Sequence, residues 1–310
     1  LLHRPSREAL QNTLVDTEYL ISERVGLIDA ELIAAAPHLK LILRLGSLTH
    51  DIDLDAARSA GVIVCRWPDA GAIRVAEHTI MFMLALAKQL NEAQSVARAA
   101  RSDGREVRRT DENTFAYNWS GRQGIGQLYE RVIGILGFGE IGAELAQRLE
   151  SWGCTLLYHK RRQLPAAFEI DFSLTYADRN TLITQADYLV NLLPYTAETA
   201  LNLGAETFAQ MKPGAFLVSC GSGGIVDETA LANALRAGHL GGAALDTYAW
   251  EPLQADNPLV VLANAGHNLI LTPHIAAGSY TAQSSAEERR AIYTNILRHL
   301  RGEPLVYRLA

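Results

Sequence analysis

Three glycines, Gly137, Gly139 and Gly142, close an apolar stretch and open a helical one in GILGFGEIGAELAQRL. In that setting each has a task. The first permits a tight turn, the second lets backbone approach a pyrophosphate, and the third lets helix and strand pack closely, while the helix N-terminus attracts phosphate. The run predicts a dinucleotide site along Gly137, Phe138, Gly139, Glu140, Ile141 and Gly142. About 20 residues further on, an acidic side chain commonly binds a ribose 2′-hydroxyl. Here the next strand ends instead in His159, Lys160, Arg161 and Arg162. A basic cluster suits a 2′-phosphate by charge and by bidentate guanidinium bonding, so NADP(H) is expected ahead of NAD(H), which stays possible. The plainer alternative is a solvated basic turn. Nearer the C-terminus, Asp246 and Glu251 lie in ALDTYAWEP and His274 in LTPHIAAGS, each just past an apolar run. A histidine there could give or take a proton near neutral pH, and a carboxylate beside it would stabilise the imidazolium. A lone histidine after a strand is more often structural, and spacing alone does not bring the two together.

Such groups need strands whose ends converge. Three strand-length apolar runs come early, EYLI (18–21), LKLILRL (39–45) and VIVCRW (62–67), separated by helical patterns. Six more follow: RVIGILG (131–137), TLLYH (155–159), DYLVNLL (187–193), AFLVSC (215–220), GGAALD (241–246) and NLILTP (268–273). Strand–helix alternation predicts α/β architecture with parallel, doubly wound sheets, and ligands in such sheets bind past the strand ends. Between the two series lies one long helical pattern, 75–100, apolar nearly all round in its first half and so expected to be buried between domains or subunits. Residues 101–131 are polar and irregular, a loop or an arm over a partner subunit. The tail, 284–302, reads as one amphipathic helix.

Composition narrows the class. A chain of 310 residues, 48% hydrophobic, can build two cored domains. A net charge of −6 argues against general nucleic-acid binding. Cys65, Cys154 and Cys220 lie far apart with no CxxC pair, so neither a metal site nor a disulfide framework is expected, and a reducing, cytoplasmic setting fits. No apolar run reaches about 18 residues, so no membrane span is expected. No basic-then-apolar leader opens the chain, and LLH at its start is read as the tail of a strand.

The motifs VAEHT (75–79), GILGFGEIG (134–142), LLPYTAET (192–199), MKPGAFLVS (211–219), GGIVDETALANAL (223–235), ALDTYAWEP (244–252) and LTPHIAAGS (271–279) resemble, in order and spacing, the D-isomer-specific 2-hydroxyacid dehydrogenases. The resemblance covers nearly the whole chain. It implies two Rossmann-like domains: a flavodoxin-like substrate domain from both chain ends, 1–74 and 277–310, and a dinucleotide-binding domain, 75–276. It implies a small oxo or hydroxy acid substrate, a homodimer, His274 as acid/base with Glu251 as its partner, and Asp246 near the nicotinamide carboxamide. Leu193, Pro194, Thr199, Cys220, Gly221 and His274 would line the cofactor. On the substrate side the sequence departs from the family. LVSCGSGGIVDE carries Ser222 where the family has the arginine that grips the substrate carboxylate, and Ser219 where it has asparagine. In RLGSLTHDID, whose backbone amides normally help bind that carboxylate, Ser47 and Leu48 stand in the substrate loop, with Leu48 in place of a glycine; Gly71 replaces an asparagine. Leucine disfavours φ > 0. Poor turnover of ordinary 2-keto acids is expected unless another cation, Arg74, fills the gap. Two functions remain open: a reductase for an unusual oxo substrate, or an NADP(H)-binding sensor or interaction protein whose chemistry has faded.

Overall fold

A computed structural model describes residues 5–23, 26–100, 105–278 and 282–310. The expectation for LLH lies outside the described residues, as does Ser279. In chain order the first part runs α1 (Arg7–Leu14), β1 (Tyr19–Ser22), α2 (Ala30–Ala34), β2 (Leu41–Leu45), α3 (Leu54–Ser59), β3 (Ile63–Trp67), α4 (Ala70–Ala87) and α5 (Leu90–Ala99). The second runs β4 (Val132–Leu136), α6 (Glu140–Leu149), β5 (Thr155–His159), α7 (Ala166–Asp171), β6 (Leu174–Tyr176), α8 (Arg179–Gln185) and β7 (Tyr188–Asn191). It continues with α9 (Ala205–Gln210), β8 (Phe216–Ser219), α10 (Glu228–Arg236), β9 (Gly242–Leu245), α11 (Pro258–Asn264), β10 (Leu269–Leu271), α12 (Ala282–Ala291) and α13 (Thr294–Leu300).

All strand pairs are parallel, in a three-stranded sheet ordered β1-β2-β3 and a seven-stranded sheet ordered β10-β9-β8-β7-β4-β5-β6. The strand order of the larger sheet reverses between β4 and β7, which is the crevice where doubly wound sheets take ligands. Its strands alternate faces. Ile133, Ile135, Val190 and Val218 pack with Phe82, Met83 and Leu86 of α4 and Leu145 of α6. Leu136, Leu189 and Leu217 pack with Leu182, Phe208, Leu231 and Leu259 on the other side. Both faces are therefore covered by helices, as parallel sheets require. The C-terminal residues return to the smaller sheet: Val64 N–H donates to Ala310 and Arg66 N–H to Tyr307, while Ile292 and Ile296 pack under Leu41, Leu43 and Cys65.

Four sequence expectations change. The pattern over 75–100 is two helices, because the chain turns left-handed at Gln89 (φ 49). Residues 122–126 hold that break: Gly126 N–H donates to Ala87 O at 2.7 Å, and Lys88 Nζ to Gly126 O at 2.8 Å. The tail is likewise two helices, and Asn295, buried in the second, exchanges bonds with both backbone groups of Val306. The larger sheet has a seventh strand, β6, whose three residues are too few to show a period. Finally, α4 is long and apolar enough to cross a membrane by length and composition, with mean hydropathy 1.3 over 18 residues. It packs against α6, β8, β9 and β10, as the core helix of a folded unit does.

Candidate active site

The glycine run lies on the switch-point crevice. Gly137 has φ +92, and a Cβ there would sit 2.8 Å from Leu193 N and 2.9 Å from Leu192 C. The backbone after β4 thus touches the backbone after β7, leaving a cradle that a side chain would fill. Gly139 caps α6 without a side chain. Donors at a bare helix N-terminus fit a dinucleotide pyrophosphate. The side chain of Phe138 turns away into the core, where its ring lies 5.0 Å from that of Tyr158. Ile141 packs against the same core, and the carboxylate of Glu140 reaches back to the loop after β2. At the end of β5, His159 Nδ1 lies 2.9 Å from Ala177 O, and Arg161 and Arg162 are exposed.

Across the crevice, the turn after β8 is bonded at nearly every residue. Asn191 O accepts from the N–H groups of Cys220 (3.2 Å) and Gly221 (2.9 Å), and its side-chain amide donates to Ser219 Oγ at 3.0 Å. Thr247 Oγ1 donates to Gly221 O. Ser222 N–H donates to Leu193 O, and Ser222 Oγ accepts the N–H of Tyr195 at 3.1 Å. The loop so bare of charge in the sequence is a brace between β7 and β8. Thr199 closes the other side, its Oγ1 donating to Pro194 O at 2.8 Å. Burial pushes the Cys220 thiol up to about 12, which keeps it neutral.

His274 and Glu251 meet: Nδ1 lies 2.7 Å from Glu251 Oε2. Both are held from behind. Glu251 Oε1 accepts the N–H of Tyr248, and Glu228 accepts from Ala249 N–H at 2.8 Å and Asn257 Nδ2 at 2.6 Å. His274 itself is left-handed (φ 53), a strained conformation for a histidine. Asp246, 1% exposed, fixes that turn by accepting the N–H groups of Ile275 (2.9 Å) and Ala276 (2.8 Å) and the Thr272 hydroxyl (2.5 Å). His78 of α4 closes the group, its Nε2 at 3.2 Å from Thr272 Oγ1 and 3.7 Å from Asp246 Oδ1. Burial holds His78 below its ordinary value against the pull of Asp246.

The substrate-side residues divide. Leu48 has no positive φ; the left-handed residue of its loop is Gly46 (φ +106), and the Leu48 side chain is wholly buried in the core of the larger unit. Only its backbone faces the loop. The Ser47 hydroxyl is taken by Glu144 at 2.5 Å. Gly71 lies in the first turn of α4, its N–H bonded to the Asp69 cap. The suggestion that Arg74 replaces the missing arginine is corrected: both its terminal nitrogens grip Glu288, at 2.7 and 3.2 Å, and Nε donates to Ala277 O. Sequence reasoning missed Asn191, Glu228, Thr272 and His78. Asn191 left a signal as a polar residue at the buried end of an apolar run, and the other three lie within motifs that carry the resemblance. Two open pockets, of about 450 and 360 Å³, lie against α9. The first is lined by Arg179, whose guanidinium is already bonded to Asn202 and Thr207.

Comparison with known proteins shows the family. Residues 80–276 match the D-isomer specific 2-hydroxyacid dehydrogenase, NAD binding domain. The chain is 31% identical over 302 residues to a glyoxylate reductase of Thermococcus onnurineus, covering 97% of this chain and 85% of the relative. It is 32% identical over 284 residues to D-3-phosphoglycerate dehydrogenase of Mycobacterium leprae, covering 91% of this chain and 49% of that protein. It thus spans about half the length of such phosphoglycerate dehydrogenases. Among solved structures, the PH0520 protein of Pyrococcus horikoshii aligns with a TM-score of 0.62 and 28% identity, over 98% of this chain and 86% of that one. With a seven-stranded sheet reversing at its glycine turn and a His–Glu pair beyond it, the chain belongs to the D-isomer-specific 2-hydroxyacid dehydrogenase family.

Proposed function

We propose that this chain is an NADP(H)-preferring oxidoreductase that interconverts a small carbonyl compound and its alcohol. The smaller sheet with the C-terminal residues would form the substrate side, and residues 75–276 the cofactor side. The observation that carries the reading is the His274–Glu251 pair at 2.7 Å, on a left-handed turn pinned by a buried aspartate. Bound cofactor would supply or accept a hydride. Glu251 bonds Nδ1 and leaves Nε2 as the nitrogen that gives a proton to the carbonyl oxygen in reduction and takes it back in oxidation. Glu228 and Asp246 keep the two loops in register. Gly137, Gly139 and the Leu193–Pro194 backbone would hold the pyrophosphate and nicotinamide ends. Through the turn it fixes, Asp246 would bound the carboxamide region. Lys160, Arg161 and Arg162 would face a 2′-phosphate.

Ser222 brings no charge to the carboxylate position, so ordinary 2-keto acids should be poor substrates. Activity is tested by NADPH oxidation over a panel of glyoxylate, hydroxypyruvate, pyruvate and uncharged aldehydes and ketones. Turnover on at least one compound, reduced about 10²–10⁴-fold in His274→Ala, supports the reading. Tight NADPH binding with no turnover favours the second reading, an NADP(H)-binding sensor or interaction protein. That alternative draws on Ser222, whose oxygen is occupied by Tyr195 N–H. Cofactor choice is tested with Arg161→Ala/Arg162→Ala: loss of charge-assisted bonds, roughly 1.5–3 kcal/mol each, should weaken NADPH by about tenfold or more and leave NADH unchanged. We propose a homodimer, since Val107, Phe115 and Tyr117 expose apolar surface on the irregular segment beyond α5. Light scattering tests it. Three unpaired thiols suit the reducing cytoplasm.

A further inference from the structure

The loop after β2 already holds a carboxylate. Ser47 N–H donates to Glu140 Oε2 at 2.6 Å, and Leu48 N–H lies 3.2 Å from Oε2 and 3.3 Å from Oε1. Gly46 allows the approach: a Cβ there would stand 2.3 Å from Glu140 Cδ. One turn along α6, Glu144, 5% exposed, takes the Ser47 hydroxyl and is itself held by Arg148 at 2.7 Å. Helix α6 is thus bonded through two carboxylates to the loop of the smaller sheet.

Two successive backbone N–H groups that converge on one carboxylate form an anion cradle. The space serves one such group, and Glu140 supplies it. An external carboxylate would have to displace Glu140 or share the cradle against like-charge repulsion. Of the other groups able to hold an acid, Arg74 is engaged by Glu288, and Ser222 offers one uncharged hydroxyl. Two large apolar side chains are exposed beside the His274–Glu251 pair in the chain. Trp250 and Ile275, adjacent in the chain to Glu251 and His274, are 78% and 52% exposed.

We propose that Glu140 determines specificity: by filling the Ser47–Leu48 cradle it excludes substrates with a carboxylate beside the carbonyl and selects uncharged aldehydes or ketones. This rests on the oxidoreductase reading above, because it names the substrate class of that same site. The test compares kcat/KM for pyruvate with that for hydroxyacetone, at saturating NADPH, in wild type, Glu140→Gln and Glu140→Ala. The ratio of the two constants cancels any change in cofactor binding. Wild type should prefer the uncharged ketone by about tenfold or more, and Glu140→Ala should shift the ratio towards pyruvate by about tenfold, with Glu140→Gln between them. A wild-type preference for pyruvate, or a ratio unmoved in folded Glu140→Ala, overturns the proposal. If no protein turns over either compound, the wider panel above decides the oxidoreductase reading, and oxamate titrated into the NADPH-loaded chain decides the cradle. Binding about tenfold tighter to Glu140→Ala than to wild type supports the occupied cradle, and equal binding overturns it.

Discussion

Replacing Asp246 by asparagine keeps the shape of the side chain and removes its charge. The carboxylate accepts three bonds in a nearly water-free position, from Thr272 Oγ1, Ile275 N and Ala276 N. An asparagine can keep its oxygen towards Thr272 and Ile275, but its NH₂ then faces the Ala276 N–H, donor against donor. One bond to a charged group, roughly 1.5–3 kcal/mol, is lost, and a buried donor is left without a partner. Together these come to about 2–4 kcal/mol, directed at a turn whose left-handed histidine already costs roughly 1–3 kcal/mol. If that energy appears as loss of the His274 geometry, kcat falls by about 30- to 900-fold. Amide exchange at Ile275 and Ala276 should quicken over the same range. The assay is a cycle of Asp246→Asn, His274→Ala and the double variant. The double variant should be no slower than His274→Ala, because Asp246 acts through the turn. A large drop in kcat with both amides protected as in wild type would refute the reasoning, since Asp246 would then act directly on a ligand.

Gly137→Ala should cost about 2–3 kcal/mol, because alanine at φ +92 is strained and its Cβ would stand 2.8 Å from Leu193 N; thermal melting and NADPH titration should both report the loss. His78 gives a pH signature. Its folded pKa is lowered from 6.5, so the unfolded chain takes up the proton first, and stability is lost as pH falls below about 6.5. Denaturant midpoints for His78→Gln should decline less than wild type between about pH 6.5 and 5; parallel curves would show that His78 is not the group responsible.

The sequence was most legible where chemistry and fold share a local signal. The glycine turn, six of the seven strands of the larger sheet and the polar residues beyond their ends follow from period and spacing, because the central strands are buried on both faces and must be apolar throughout. What failed to show was tertiary. The helix over 75–100 breaks because residues 122–126, far along the chain, capture Ala87 O and the Gln89 side chain. Arg74 looked available because its partner, Glu288, is on α12, more than two hundred residues away. Leu48 read as a pocket residue by position, yet a leucine in a loop between two units is drawn into the nearest core, here among Ala76, Phe82 and Phe138. Local pattern identifies which groups could act. It does not identify which are already bonded.

Ser222 shows the consequence. Ser222→Arg has two opposed effects, because the serine both lacks a charge and holds Tyr195. A guanidinium at this position would add a charge-assisted bond to a substrate carboxylate, roughly 1.5–3 kcal/mol, against about 0.5–1.5 for the neutral bond given up. With the cradle opened by Glu140→Ala, the net gain of about 1–2 kcal/mol predicts pyruvate or glyoxylate turnover raised by about 5- to 30-fold, and with Glu140 in place the gain should be smaller. The same change removes the acceptor for Tyr195 N–H, loosening the brace between the turn after β8 and the Leu193–Pro194 backbone. NADPH should therefore bind more weakly to Ser222→Arg, by about three- to tenfold, the worth of one neutral hydrogen bond. Steady-state rates at saturating NADPH isolate the first effect, and fluorescence titration of NADPH isolates the second. Gain on keto acids with unchanged NADPH affinity would show that the Ser222–Tyr195 bond does not hold the cofactor wall. Weaker NADPH binding without the gain would show that restoring a cation cannot admit a carboxylate while Glu140 occupies the amide cradle, and the double variant Ser222→Arg/Glu140→Ala should then recover it.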